Sequence, residues 1–140
     1  MLTDPQLIGT ESAPCDFDVE KGAIRRFAEA VGDENPLYLD EAYARTQGFA
    51  SVIAPPTFPT TFRVPLPIRI EISRTLHGEQ EYTYTRPIVA GETIRCVSRL
   101  VDVYEKHGSL GEMTFLVTEV TGTDQRGEVV FTAKSVGILR

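Results

Sequence analysis

The sequence predicts an α+β protein. Helical periodicity is confined to the first third of the chain, a proline-rich stretch fills the middle, and long β-rich segments separated by turns fill the second half. Helices first and strands after them is the pattern of a sheet with helical elements gathered to one side.

The first element is an amphipathic helix from Asp18 to Val31, because Ile24, Phe27, Ala28 and Val31 recur at three- and four-residue spacing. Asp16 or Asp18 is placed to cap it, with Glu20 complementing the helix dipole in the first turn. Gly32 follows the last periodic residue, where a left-handed C-terminal position belongs. The helix therefore delivers Asp33 into a turn that Pro36 stiffens. Glu41 to Thr46 reads as a short helix ending near Gly48. Between Ala54 and Pro67 stand five prolines, which forbid a long regular helix. Thr57 as N-cap, Pro59 in the first turn and a stop at Pro65 permit about two turns.

Gln80–Thr85, Thr93–Lys106, Met113–Thr121 and Glu128–Leu139 are rich in Val, Ile, Thr, Tyr and Phe. Gly91, Gly108, Gly111 and the turn Thr123–Gly127 separate them. Alternation shows in Tyr82/Tyr84 and in Phe115/Val117/Glu119. Long segments with short connections predict an antiparallel meander.

With 140 residues, 41% of them hydrophobic and 24% charged, the chain is expected to form one domain over 1–140 with its own core. A net charge of −6 argues against nucleic acid or an anionic membrane surface as partner. A local cluster such as Arg63, Arg69 and Arg74 still offers a site for an anionic ester. No apolar run approaches the ~18 residues that a membrane span needs. Met1 to Pro14 has neither the basic start nor the apolar region of a secretory signal. Cys15 and Cys96 lack metal-ligand spacing and read as reduced thiols, so a cytoplasmic location is expected with no metal and no cofactor.

Gly32-Asp33-Glu34-Asn35-Pro36-Leu37-Tyr38-Leu39-Asp40 resembles the G-D-x-N-P-[LI]-H-x-D loop of the MaoC-like (R)-specific enoyl-thioester hydratases and dehydratases. Tyr43-Ala44, the pair Phe49 and Ile53, and the turn Arg86-Pro87-Ile88-Val89-Ala90-Gly91-Glu92 match the same family in order. The resemblance implies a hot-dog fold, a curved antiparallel sheet wrapped around a short central helix. It also implies pairing with a second such unit through sheet edges.

In that family an Asp and a His hold the water that adds across a C=C bond, and a Gly N–H at the central helix helps to bind the thioester oxygen. Here the Asp is Asp33, but Tyr38 stands where the His belongs. Counting forward from Asp33 without a gap places Pro56, which has no N–H, at the Gly position. A slip of one or two would place Thr57 or Phe58 there. A phenol with an ordinary pKa of about 10 orients water or donates a proton but is a poor base at neutral pH. Asp33, Asn35 and Asp40 are also residue types that simply hold turns. His77 reads as a loop residue near a strand entry, and His107 as an exposed turn residue.

Three readings follow. The leading one is the less catalytic subunit of a (3R)-hydroxyacyl-thioester dehydratase or (R)-specific enoyl-CoA hydratase, working as a hydro-lyase only with an Asp/His-bearing second MaoC-like subunit. Its thioester handle is CoA or acyl carrier protein, and its assembly a homo- or hetero-dimer or tetramer. Asn35, Pro56, Thr57, Phe58 and Phe62 would line the substrate site, with Val64 and Leu66 extending an acyl groove. The second reading is a self-sufficient hydratase using Asp33 and Tyr38, or His77 from another chain. The third is a non-enzymatic acyl-thioester-binding module. Fold alone does not separate them.

Overall fold

The β-branched and aromatic residues of the second half form four long antiparallel strands, joined by a short strand from the N-terminal region. The computed structural model describes residues 4–140. It has β1 (Cys15–Asp18), β2 (Thr75–Tyr84), β3 (Thr93–Gly108), β4 (Gly111–Thr123) and β5 (Val129–Leu139) in one sheet of order β1-β3-β4-β5-β2. The last three strands are the expected meander. β2 departs from it, pairing with β5 at the far edge instead of with β3. The edge of β3 is already taken by β1, with Phe17 opposite Ile94. β2 also starts earlier than the expected Gln80, because a bulge between His77 and Glu79 interrupts its alternation.

The first helix is shorter than its periodicity suggested: α1 runs from Lys21 to Val31. Residues 15–18 go to the sheet instead. Asp16 there meets the Arg95 guanidinium at 2.8 Å, and Asp18 accepts from the Thr93 hydroxyl at 2.9 Å, so neither caps the helix. Glu20 holds the cap position without a side-chain hydrogen bond. Gly32 closes the helix at φ 75°, the left-handed conformation that favours glycine. α2 (Pro36–Leu39) and α3 (Glu41–Thr46) follow. Asn35 Oδ1 accepts the Leu37 N–H at 3.0 Å and Asp40 Oδ1 accepts the Tyr43 N–H at 3.1 Å, so each short helix has a capping side chain.

The proline-rich segment makes one 3₁₀ turn, Phe58–Thr61, in place of two helical turns. Pro59 suits its start, and Thr57 precedes it without a side-chain cap. The chain is irregular after that until a second 3₁₀ turn, Ile72–Arg74, leads into β2.

The core lies between the inner face of the sheet and these helical pieces. Ile94, Cys96, Phe131 and Ala133 from the sheet join Ile24, Ala28 and Phe58 in one buried cluster. Phe58, 2% exposed, meets Phe27 and Phe62 edge-on with ring centroids 5.7 and 5.6 Å apart. Burying one such ring contributes on the order of 3 kcal/mol. Gly122 on β4 lies opposite Phe131 on β5, and a Cβ there would sit 2.2 Å from the ring. The missing side chain is what lets that ring cross the strand.

Candidate functional site

The loop after α1 is built by its structural residues. Gly32 turns the chain, the Asp33 N–H donates to Ala28 O at 3.0 Å, and Asn35 and Asp40 cap the helices that follow. Arg25 donates to Leu39 O at 3.0 Å, and Glu41 gathers Lys21, Arg45 and the Ser51 hydroxyl at 2.6, 2.9 and 3.1 Å. These bonds fix the backbone around the pair Asp33 and Tyr38.

Of the pair, Tyr38 is poorly equipped for base chemistry. Tyr38 is buried, 8% exposed, and its hydroxyl makes no hydrogen bond among the described residues. Burial first, and the nearby Asp33 carboxylate second, raise its phenol above the ordinary value near 10. Both causes act against the phenolate. Asp33 is exposed and its carboxylate accepts no hydrogen bond among the described residues.

Of the three positions that compete to supply an oxyanion donor, the geometry separates them. Pro56 has no N–H, and its carbonyl accepts the Tyr84 hydroxyl at 2.5 Å. The Phe58 N–H is spent on Pro55 O at 2.9 Å. The Thr57 N–H has no acceptor among the described residues, and Thr57 is exposed.

A cavity of about 530 Å³ opens beside this segment, between the irregular stretch after Phe62 and the inner face of β2, β4 and β5. Val64, Leu66, Ile68 and Ile70 form one wall at alternate positions. Of the residues singled out from the motif and the proline-rich segment, Phe62, Val64 and Leu66 line it; Asp33, Asn35, Tyr38, Pro56, Thr57 and Phe58 do not. The floor residues Gln80, Thr118 and Ser135 escaped sequence reasoning, because Thr and Ser on strands look like ordinary β-formers. Ile68 and Ile70 were visible in principle, since they continue the every-second-residue apolar pattern begun at Val64.

His77 is in β2, not a loop, and lines the far end of the cavity while remaining exposed. His107, near the end of β3, is exposed with Nδ1 3.5 Å from Glu112 Oε1. Arg63 and Arg69 are exposed on the alternate positions of the cavity wall, and Arg74 donates to Arg140 O at 3.2 Å. Among the described residues no three His, Cys, Asp or Glu side chains are grouped to hold a metal ion. Cys15 and Cys96 are unlinked, and burial pushes the Cys96 thiol up to about 12. No helix among the described residues is long and apolar enough to cross a membrane.

The second motif region, the Arg86–Glu92 turn, is held by its own ion pairs. Arg86 donates to both oxygens of Glu92, one bond measuring 2.9 Å, and to Asp124 Oδ2 at 3.2 Å. Glu92 also accepts the Val89 N–H at 2.8 Å. The turn before β3 is thereby tied to the β4–β5 hairpin. Ala54 and Ala90 exchange backbone bonds with Ile88 and Val52, which anchors the start of the proline-rich segment on that turn.

The family described as "FAS1-like, dehydratase domain region" matches residues 6–133. A UPF0336 protein of Streptomyces avermitilis is 37% identical over 144 residues, covering 95% of this chain and 92% of that one. Another, from Thermobifida fusca, is 35% identical over 135 residues, covering 91% and 86%. Among solved structures, the ChsH1–ChsH2 complex from Mycobacterium tuberculosis contains a chain with TM-score 0.76 and 25% identity, over 92% of this chain and 83% of that one. The C-terminally truncated HadBC (3R-hydroxyacyl-ACP dehydratase) complex of the same organism gives TM-score 0.82 at 24% identity, over 99% of each chain. That likeness bears on the fold, which is the hot-dog fold.

Proposed function

We propose, for a chain that belongs to the MaoC-like family matched as the FAS1-like dehydratase domain region, that it is the less catalytic subunit of a hydratase or dehydratase acting on acyl thioesters. One observation carries the reading: Tyr38 stands at the position of the family's base, buried and beside a carboxylate that opposes its ionisation. A phenol held protonated does not take a proton from water at neutral pH. In this reading the second MaoC-like subunit supplies the Asp/His pair. This chain supplies the cavity for the acyl group, as one domain paired through a sheet edge in the cytoplasm. Two of the solved relatives are described as complexes, which supports a two-subunit arrangement.

The handle is CoA or acyl carrier protein. Arg63 and Arg69, exposed on the same segment that walls the cavity, have the charge to meet a phosphate-bearing handle. The free Thr57 N–H favours the alternative, a self-sufficient hydratase, because it is a donor in the neighbourhood where a thioester oxygen would need one. The test is co-expression with a MaoC-like subunit that has an intact Asp/His loop, followed by purification through a tag on this chain alone. A stable pair whose hydratase activity is lost when the partner's Asp and His are replaced supports the proposal. A chain that purifies without such a partner and hydrates enoyl-CoA unaided would contradict it.

A further inference from the structure

The floor of the cavity is not uniformly apolar. Thr118 on β4 pairs with Ser135 on β5, and Ser135 pairs with Gln80 on β2, so three polar side chains lie side by side across the inner face. Ser98 on β3 lies one row over, opposite Val120, and so stands diagonally beside Thr118, whose own partner on β3 is Leu100. All four line the cavity. The rows on either side contain Val120, Ala133 and Tyr82 toward the 3₁₀ turn, and Leu116 and Gly137 toward the far end.

The row is only partly satisfied. The Ser135 hydroxyl donates to Gln80 Oε1 at 2.7 Å, and the Gln80 amide reaches Lys134 O at 3.4 Å. The hydroxyls of Thr118 and Ser98 make no hydrogen bond among the described residues, although Ser98 is 2% exposed. Neither hydroxyl is sealed away without a partner, because no buried side-chain polar atom among the described residues is left in that condition. Ser98 is therefore a nearly buried residue that lines the cavity: its backbone groups bond Ser12, while its hydroxyl has no partner among the described residues. A plain alkyl chain laid across this row would strip water from unpartnered hydroxyls and give nothing back, which costs affinity.

We infer that the cavity selects an acyl group carrying its own oxygen, a hydroxyl or keto group, at the depth of the Thr118–Ser135–Gln80 row and the Ser98 hydroxyl diagonal to it. This rests on the reading above that the cavity holds the acyl part of a thioester. The depth separates this oxygen from the reacting carbons. Gln80 lies four residues along β2 from Tyr84, which bonds the Pro56 carbonyl, and the strand rise of ~3.3 Å per residue sets it about 13 Å from that end. The selected oxygen is thus a second one, in the body of the acyl group. Thr118 and Ser98 act as specificity-determining residues, and the Ser135–Gln80 pair orients the amide beside them.

The experiment is calorimetric titration of the full chain with dodecanoyl-CoA and with its monohydroxylated positional isomers. At least one isomer is expected to bind about tenfold more tightly than the unsubstituted chain, the worth of one buried hydrogen bond that replaces a desolvated hydroxyl. Thr118→Val is expected to reverse that order, since it removes the hydroxyl and keeps the shape. Ser98→Ala serves as the second variant in case the first does not fold. Unsubstituted dodecanoyl-CoA binding as tightly as every isomer overturns the inference and leaves the acyl-binding reading standing. No binding of any of these ligands overturns both.

Discussion

Two loops match the same family motif set, and they have fared differently. In the Arg86–Glu92 turn every charged side chain is engaged: Arg86 joins Glu92 to Asp124, and Glu92 also holds the Val89 N–H. In the Gly32–Asp40 loop the residues that shape the backbone are engaged, namely Gly32, Asn35 and Asp40, while the Asp33 carboxylate has no hydrogen-bond partner among the described residues and the histidine position holds a tyrosine. The turn retains its motif as architecture throughout. The loop retains the architectural part of its motif, with a tyrosine where the family has its histidine. The glycine, asparagine and proline of the loop are held by backbone geometry, which is independent of the residue at position 38.

The largest effect expected from this contrast is at Arg86. Replacing it with Ala leaves the carboxylates of Glu92 and Asp124 facing each other, with side-chain exposures of only 22% and 8%. Thermal denaturation should show a melting temperature lower by roughly 5–10 °C, less than for a fully buried pair because Arg86 is itself partly exposed. The same network has a pH signature. The N–H groups of Glu128 and Arg126, and then Arg86, hold the Asp124 carboxyl below the usual carboxylate range. Its contribution is whole above the ordinary value near 3.9 and is lost as pH falls through the lowered folded value. Asp124→Asn should remove that part of the acid limb of the stability profile, and an unchanged limb would show the network to be idle.

Next comes Asn35→Ala. Loss of the bond to the Leu37 N–H should cost about 1 kcal/mol in a denaturant titration, the usual worth of a cap. Asp33→Asn should change stability by less than about 0.5 kcal/mol, because nothing among the described residues is bonded to that carboxylate. It should, however, shift Tyr38. The phenolate absorbance of Tyr38 should appear at lower pH in the variant, yet still above the ordinary value, since burial is the larger cause and remains. A midpoint that does not move would separate the two residues and break the contrast between the loops.

Much of this was legible in the sequence where the signal is local. Gly32 as a left-handed cap, the helix Glu41–Thr46, and the four long strands follow from periodicity and turn chemistry. What was not legible is tertiary. Asp16 and Asp18 look like caps until β1 pairs with β3 and takes them into the sheet. The bulge after His77 hides the beginning of β2, and no local signal says that β2 crosses to the β5 edge. The two turns that capping rules allow after Thr57 shrink to one, as the chain follows the sheet from Phe62. In the site, the loop and the exchange at position 38 were readable, but the burial of Tyr38 was not. The polar row depends on register across three strands, which no single stretch of sequence contains.

The most direct test of the central claim is the hydration of crotonyl-CoA and of a longer enoyl-CoA by the purified chain alone, followed by the loss of enoyl absorbance. No turnover above background is expected, with activity appearing when a partner with an intact Asp/His loop is supplied. Turnover by the chain alone that Tyr38→Phe abolishes would contradict that claim, and would make Tyr38 the working acid or base of a complete enzyme.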